Sequence, residues 1–157
     1  MATFTAVHVA LSLIGIAAGV VSLGGFLSRK SLDSWNAVFL ATTALTSLTG
    51  YGFPFDHLLP SHIVGALSLA VLALAVLARY GRKLAGGWNR IYVVTAVIAL
   101  YFNVFVLVVQ LFMKVPRLHD LAPTQSEPPF AIAQLCVLVV FLAAGVSAVV
   151  RSRPRAA

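Results

Sequence analysis

Charged side chains are scarce in this 157-residue chain. They make up 10% of the residues, against 61% hydrophobic residues, and the mean hydropathy is +0.99. A soluble domain of this length has too small a core to hide so much apolar surface from water. The composition therefore predicts an integral membrane protein whose main solvent is the lipid bilayer.

Five stretches contain no Asp, Glu, Lys or Arg at all: 5–28, 35–53, 61–78, 91–113 and 130–150. Each is close to the ~20 residues that a helix needs to cross ~30 Å of hydrocarbon. We therefore expect an all-α, polytopic membrane protein with five transmembrane helices in a single domain. A long bent hairpin over the second and third stretches is the alternative, because Pro54 and Pro60 bracket the link between them. The absence of charge inside the stretches disfavours an ion pump.

Basic residues are unevenly distributed between the two ends of such a bundle. The end shared with the C-terminus holds nine: Arg29, Lys30, Arg79, Arg82, Lys83, Arg90, Arg151, Arg153 and Arg155. The opposite end holds only Lys114 and Arg117. Because basic residues in short loops stay in the cytoplasm, this bias predicts an external N-terminus and a cytoplasmic C-terminus. We expect a bacterial cytoplasmic membrane, and the high net charge gives no reason to invoke nucleic acid.

Cysteine and the common catalytic motifs are nearly absent. Cys136 is the only cysteine, so an internal disulfide and a thiol relay within the chain are excluded. The sequence contains no GxSxG, no HExxH and no nucleotide-binding glycine pattern. A hydrolase is therefore disfavoured. The chain is more simply a non-enzyme, and any activity would be redox chemistry of a bound cofactor.

All four histidines fall at the predicted outer end: His8, His57, His62 and His119. The loop histidines His57 and His119 are further candidate metal ligands, and Asp56 and Asp120 beside them are possible oxygen ligands. With Ser61 as the N-cap, His62 lies in the first turn of its helix, where the helix dipole favours the neutral, metal-binding ring. We expect a transition metal (copper, zinc or iron) or haem b, with His8 and His62 as ligands from two helices. The spacing matches no defined motif, and interfacial histidines bonded to carbonyls or headgroups are the alternative.

Amide and phenol groups form a second pattern in the outer half of the membrane. Tyr51, Asn103, Gln110 and Gln134 are expected to line a cofactor pocket there. The same pocket could hold a quinone or another small lipophilic ligand. The amides could equally be structural, because amides in hydrocarbon usually find partners across helices.

Gly15 and Gly19 form a GxxxG pair in the first stretch. Such pairs let two helix backbones approach closely. Packing within the chain is the simpler interpretation, and a homodimer or larger membrane complex is the alternative. The latter would make the protein a non-catalytic assembly or stabilising subunit.

Overall fold

The computed structural model describes residues 2–53 and 60–152, and within these ranges the chain is helical, without strands. Helix accounts for 85% of it. The helices are α1 (Ala2–Ser28), α2 (Asp33–Gly50), α3 (Pro60–Val76), α4 (Trp88–Lys114), α5 (Pro116–Leu121) and α6 (Pro128–Arg151). A π-helical turn, Leu77–Gly81, continues α3. The all-helical fold class is therefore confirmed.

Four helical segments are long and apolar enough to cross a membrane: Ala2–Ser28, His62–Gly81, Trp88–Lys114 and Pro128–Arg151. The stretch predicted at 35–53 corresponds to α2, which is not among them. This helix begins with Asp33 and carries Asn36 and several threonines. Its 18 residues nevertheless span about 27 Å at the usual rise of a helix. The structure thus supports four of the five predicted spans.

The polarity of α2 is explained by its position in the bundle. The helix packs against α1, α3 and α4. Thr43 and Ser47 are buried in these contacts, where other side chains rather than lipid surround them, and Asn36 is buried near the start of the helix. Ser47 donates to Ser68 of α3 at 3.3 Å, and Asn103 of α4 donates to Thr43 at 3.0 Å.

The GxxxG pair packs inside the chain. An added Cβ at Gly19 would lie 2.5 Å from Leu100 Cδ1 and 2.9 Å from the ring of Phe39. At Gly15 it would lie 3.1 Å from Thr42 Oγ1. Both glycines are buried against α2 and α4. The surface proposed for a homodimer through Gly15 and Gly19 is therefore already covered within one copy, and the intramolecular alternative is the one observed.

Most of α6 lies on the surface of the bundle. Ala148 is its only buried residue, whereas Val140 and Val146 are more than 60% exposed. Exposing such an apolar face to water would cost free energy, whereas lipid tails are as apolar as the face itself. The exposed apolar face indicates contact with the bilayer.

Two local details differ from the sequence expectations. Helix α3 begins at Pro60, so Ser61 lies inside the helix and is not its N-cap. Proline suits a first helical position because it has no N–H to satisfy. The short helix α5 was not predicted. His62 remains in the first turn of α3, as expected.

Candidate functional site

The chain brings three of its predicted site residues, His8, Tyr51 and His62, to one end of the bundle. We call this the histidine end: the start of α1, the end of α2 and the start of α3. The contact between α1 and α2 is made here by the ring of His8, whose Nδ1 lies 2.8 Å from Thr49 Oγ1. The antiparallel course of α1 and α2 places residue 8 beside residue 49.

A count of protons assigns the donor in the contact between His8 and Thr49. Thr49 Oγ1 also lies 2.7 Å from the carbonyl oxygen of Leu45, one turn back in α2. Each short contact requires a hydrogen, and the carbonyl has none, so the single hydroxyl proton of Thr49 goes to Leu45. The proton shared with His8 must therefore come from the ring. Nδ1 is the donor, and in the neutral ring Nε2 carries a lone pair.

Aromatic side chains hold the His8 ring on its other sides. Phe53 meets it edge to face, with ring centroids 5.1 Å apart, and Phe4 packs on Phe53 at 5.0 Å. A metal-binding histidine characteristically donates one ring N–H to a neighbouring oxygen and offers the other nitrogen to the metal. His8 has the first half of this arrangement, with Nε2 as the nitrogen that the hydrogen bond does not use.

His62 is buried, with 7% of its surface exposed. The hydroxyl of Tyr51 donates to the His62 carbonyl at 2.7 Å, and the two rings lie 5.6 Å apart. The Tyr51 ring packs over Gly65, where an added Cβ would lie in ordinary van der Waals contact with it at 3.5 Å. Tyr51 thus joins the end of α2 to the first turn of α3. His8 and His62 are attached to the same short segment, Thr49–Tyr51.

The predicted amides lie elsewhere, at two different helix contacts. Asn103 is buried between α4 and α2 through its bond to Thr43. Gln134 of α6 donates to the Phe105 carbonyl of α4 at 3.2 Å. Gln110 is half-buried. Asn103 and Gln134 thus each bridge two helices, and their lining of a cofactor pocket stays a prediction.

The remaining predicted ligands are either exposed or outside the described residues. His119 and Asp120 are exposed on α5, and Asp56 and His57 lie outside the described residues. Within residues 2–53 and 60–152, no three His, Cys, Asp or Glu side chains come together as a metal-binding group. The described candidates for ligands at the histidine end are therefore His8 and His62.

A cavity at the opposite end of the bundle was not predicted from the sequence. It occupies about 380 Å³ and is lined by the four cations Arg29, Lys30, Arg79 and Arg151, together with the buried Asn36 and Tyr92. In the sequence these basic residues indicated only the orientation of the chain. Their recurrence at the ends of three helices that meet at this end is the signal that could have revealed the cavity.

Size, helix content and apolar helices define this chain as a small helical membrane protein. Comparison with protein-family models, with curated proteins and with solved structures finds no match to the chain.

Proposed function

We propose that the histidine end binds a transition-metal ion or the iron of a b-type haem, with His8 Nε2 as a ligand. The single observation that supports this most strongly is the hydrogen bond from His8 Nδ1 to Thr49, which sets the tautomer that ligates metals through Nε2. Copper, zinc and iron all accept imidazole.

His62 is the second ligand in this proposal. It is buried at the same end, and Tyr51 anchors its backbone to α2. In a b-type haem complex, His8 and His62 would hold the iron, and the haem would supply redox chemistry at this end. A copper or zinc ion would complete its coordination with water or with donors beyond these two.

The proposal includes five spans, with α2 as the fifth, an external N-terminus and a cytoplasmic C-terminus. The length of α2 and its contacts with three neighbouring helices support a full crossing. The basic side chains at the end opposite the histidines support this orientation. The histidine end would then face outward from a bacterial cytoplasmic membrane. A green fluorescent protein fused to the C-terminus should fluoresce. If that fusion is dark and alkaline phosphatase fused at the same position is active, the orientation is the opposite one.

A quinone is the second candidate ligand. The described residues provide no third metal-ligating side chain beside the histidines. A quinol hydroxyl needs one hydrogen-bond acceptor, and His8 Nε2 is such an acceptor. Under this alternative the histidine would bind the ligand without coordinating a metal.

The test is to purify the full-length protein in mild detergent without chelator. Its absorption spectrum, metal content and organic extract are compared with those of His8→Gln, His62→Gln and His119→Gln. The exposed His119 serves as the matched control. We expect a Soret band or about one metal per chain, lost in the first two variants and kept in the third. A colourless, metal-free protein that yields quinone would favour the alternative. A wild type without any of these ligands would contradict both and leave an assembly role.

A further inference from the structure

The cavity opposite the histidines has the dimensions of a ligand site. Its volume of about 380 Å³ falls within the usual range of roughly 300–1,000 Å³ for small-molecule pockets. It lies where α1, the π turn and α6 end and where α2 and α4 begin. We call this region the basic end. In a membrane-spanning bundle, helix ends of this kind lie at the level of the lipid headgroups.

Positive charge predominates in the cavity wall. Arg79 pairs with Asp33 at 2.6 Å, with the arginine side chain 9% exposed and the aspartate 71% exposed. Arg151 donates to the uncharged Leu27 carbonyl at 2.6 Å. Arg29 and Lys30 add two further cations at the exposed rim. One carboxylate thus offsets one of the four lining cations, and the cavity favours an anion.

Three buried polar atoms in the wall have no hydrogen-bond partner in the described structure. They are the Tyr92 hydroxyl, Arg79 Nε and Asn36 Oδ1, and Tyr92 and Asn36 are only 1% and 3% exposed. The Arg79 guanidinium lies over the Tyr92 ring, 5.2 Å from its centroid, so these two groups are direct neighbours in the wall. Buried polar atoms are nearly always paired, so unpaired ones that line a cavity point to what the cavity holds. Tyr92 and Arg79 can donate to an anion. Asn36 Oδ1 can only accept, and it therefore matches a hydroxyl on the ligand.

The local backbone brings these groups together. At the end of α1, Arg29 takes the left-handed conformation (φ 58°), and the Lys30 N–H bonds back to the Gly25 carbonyl at 2.9 Å. This reversal turns Arg29 and Lys30 to the rim. The π turn has Arg79 at its centre and is closed by the Arg82 N–H bonding to the Leu77 carbonyl at 2.8 Å. Such turns are rare in helices and frequent at functional sites.

We propose that this cavity binds a phosphate group on a hydroxyl-bearing ligand. Arginine forks suit the several oxygens of a phosphate, and Tyr92 adds a neutral donor. Two kinds of ligand carry such a phosphate group: an anionic phospholipid, in its headgroup, and a soluble phosphate compound. The position between helix ends at the membrane surface is typical of headgroup sites. The proposal is independent of the histidine end and of the orientation of the chain.

The experiment is calorimetric titration of the full-length protein in uncharged detergent with three probes. These are short-chain phosphatidylglycerol, phosphatidylcholine of equal chain length and inorganic phosphate. Tyr92→Phe removes only the unpaired hydroxyl, and Arg29→Gln removes one rim charge. Their matched controls are Tyr101→Phe, from the middle of α4, and Arg90→Gln, an exposed cation that does not line the cavity.

We expect saturable binding of phosphatidylglycerol at one per chain, with phosphatidylcholine at least tenfold weaker. Tyr92→Phe and Arg29→Gln should each weaken binding by about tenfold, and both controls should leave it unchanged. Inorganic phosphate binding as tightly as phosphatidylglycerol would assign the site to soluble phosphates, which also supports the proposal. Failure of both anions to bind, equal losses in Arg90→Gln and Arg29→Gln, or an unchanged Tyr92→Phe would overturn it.

Discussion

His8 donates its Nδ1 proton to the hydroxyl oxygen of Thr49 across the contact between α1 and α2, at 2.8 Å. The hydroxyl can accept this proton because its own proton goes to the Leu45 carbonyl. A side chain near the start of the chain is thereby oriented by a residue 41 positions later. The nitrogen left with the lone pair, Nε2, is the basis of the proposed ligand site.

Replacing Thr49 with valine should lower the affinity for the ligand found in the wild type without unfolding the protein. Valine has nearly the same shape but cannot accept the His8 proton, and losing such a supporting bond typically costs about 10–100-fold in metal affinity. The measurement is ligand occupancy after graded dialysis. Thr42→Val is the control, because the Thr42 hydroxyl bonds the carbonyls of its own helix, Val38 at 2.7 Å and Phe39 at 3.3 Å. Equal occupancy in the two variants would contradict the role of Thr49.

Gly19→Ala should destabilise the bundle by about 1–3 kcal/mol, the usual cost of overpacking. The new methyl group would meet Leu100 and Phe39 at 2.9 Å or less. Thermal unfolding in detergent measures the effect. Gly24→Ala is the control in the same helix, because nothing lies within 4 Å of an added Cβ there. If Gly19→Ala unfolds at the same temperature as Gly24→Ala, the packing of α1 on α2 and α4 is wrong.

The bond between Asn103 and Thr43 should couple α4 to α2 energetically. A double-mutant cycle with Asn103→Leu and Thr43→Val should give a coupling of about 0.6 kcal/mol, and at most about 1.7. Thr95→Val combined with Asn103→Leu should be additive, because the Thr95 hydroxyl bonds the carbonyls of its own helix at 2.8 and 3.0 Å. Additivity in the first cycle would show that the amide does not bridge the helices.

Glu127, which precedes α6, should titrate at a lower pH than an ordinary glutamate. Desolvation opposes this shift, but hydrogen bonds from the Thr124 hydroxyl at 2.8 Å and from the backbone N–H groups of Thr124 and Ser126 together outweigh it and lower the pKa of the carboxyl group. Its contribution to loop stability is therefore present at pH values above the ordinary glutamate pKa. That contribution is lost as the pH falls through the lowered pKa.

Carboxyl NMR of labelled protein gives this titration directly. Thr124→Val should raise the Glu127 pKa toward its ordinary value, because it removes the hydroxyl donor and keeps the shape. A Glu127 pKa unchanged by Thr124→Val would contradict the contact.

Much of the fold could be predicted because lipid imposes a simple rule on composition. The stretches predicted at 91–113 and 130–150 lie within α4 (Trp88–Lys114) and α6 (Pro128–Arg151). The π turn could not be predicted, since its hydrogen-bond pattern has no side-chain signature. The left-handed Arg29 also stands where glycine is the usual signal.

The site was predicted less completely because sequence fixes the depth of a residue in the membrane better than the direction it faces. The depth predicted from the sequence placed His8, Tyr51 and His62 at one end of the bundle. In the structure, His8 and His62 both contact the short segment that contains Tyr51. Depth also grouped Asn103 and Gln134 with them, although the two amides face different helices. The His8–Thr49 bond depends on how α1 and α2 are rotated, which the apolar stretches do not reveal.

The most direct test of the central claim is the ¹⁵N NMR spectrum of ring-labelled histidine in the full-length protein, at a pH where the His8 ring is neutral. His8→Gln assigns the resonances. We expect His8 to carry its proton on Nδ1 and Nε2 to be the unprotonated nitrogen, with this preference lost in Thr49→Val. A His8 ring protonated on Nε2, or a tautomer mixture that Thr49→Val leaves unchanged, would contradict it.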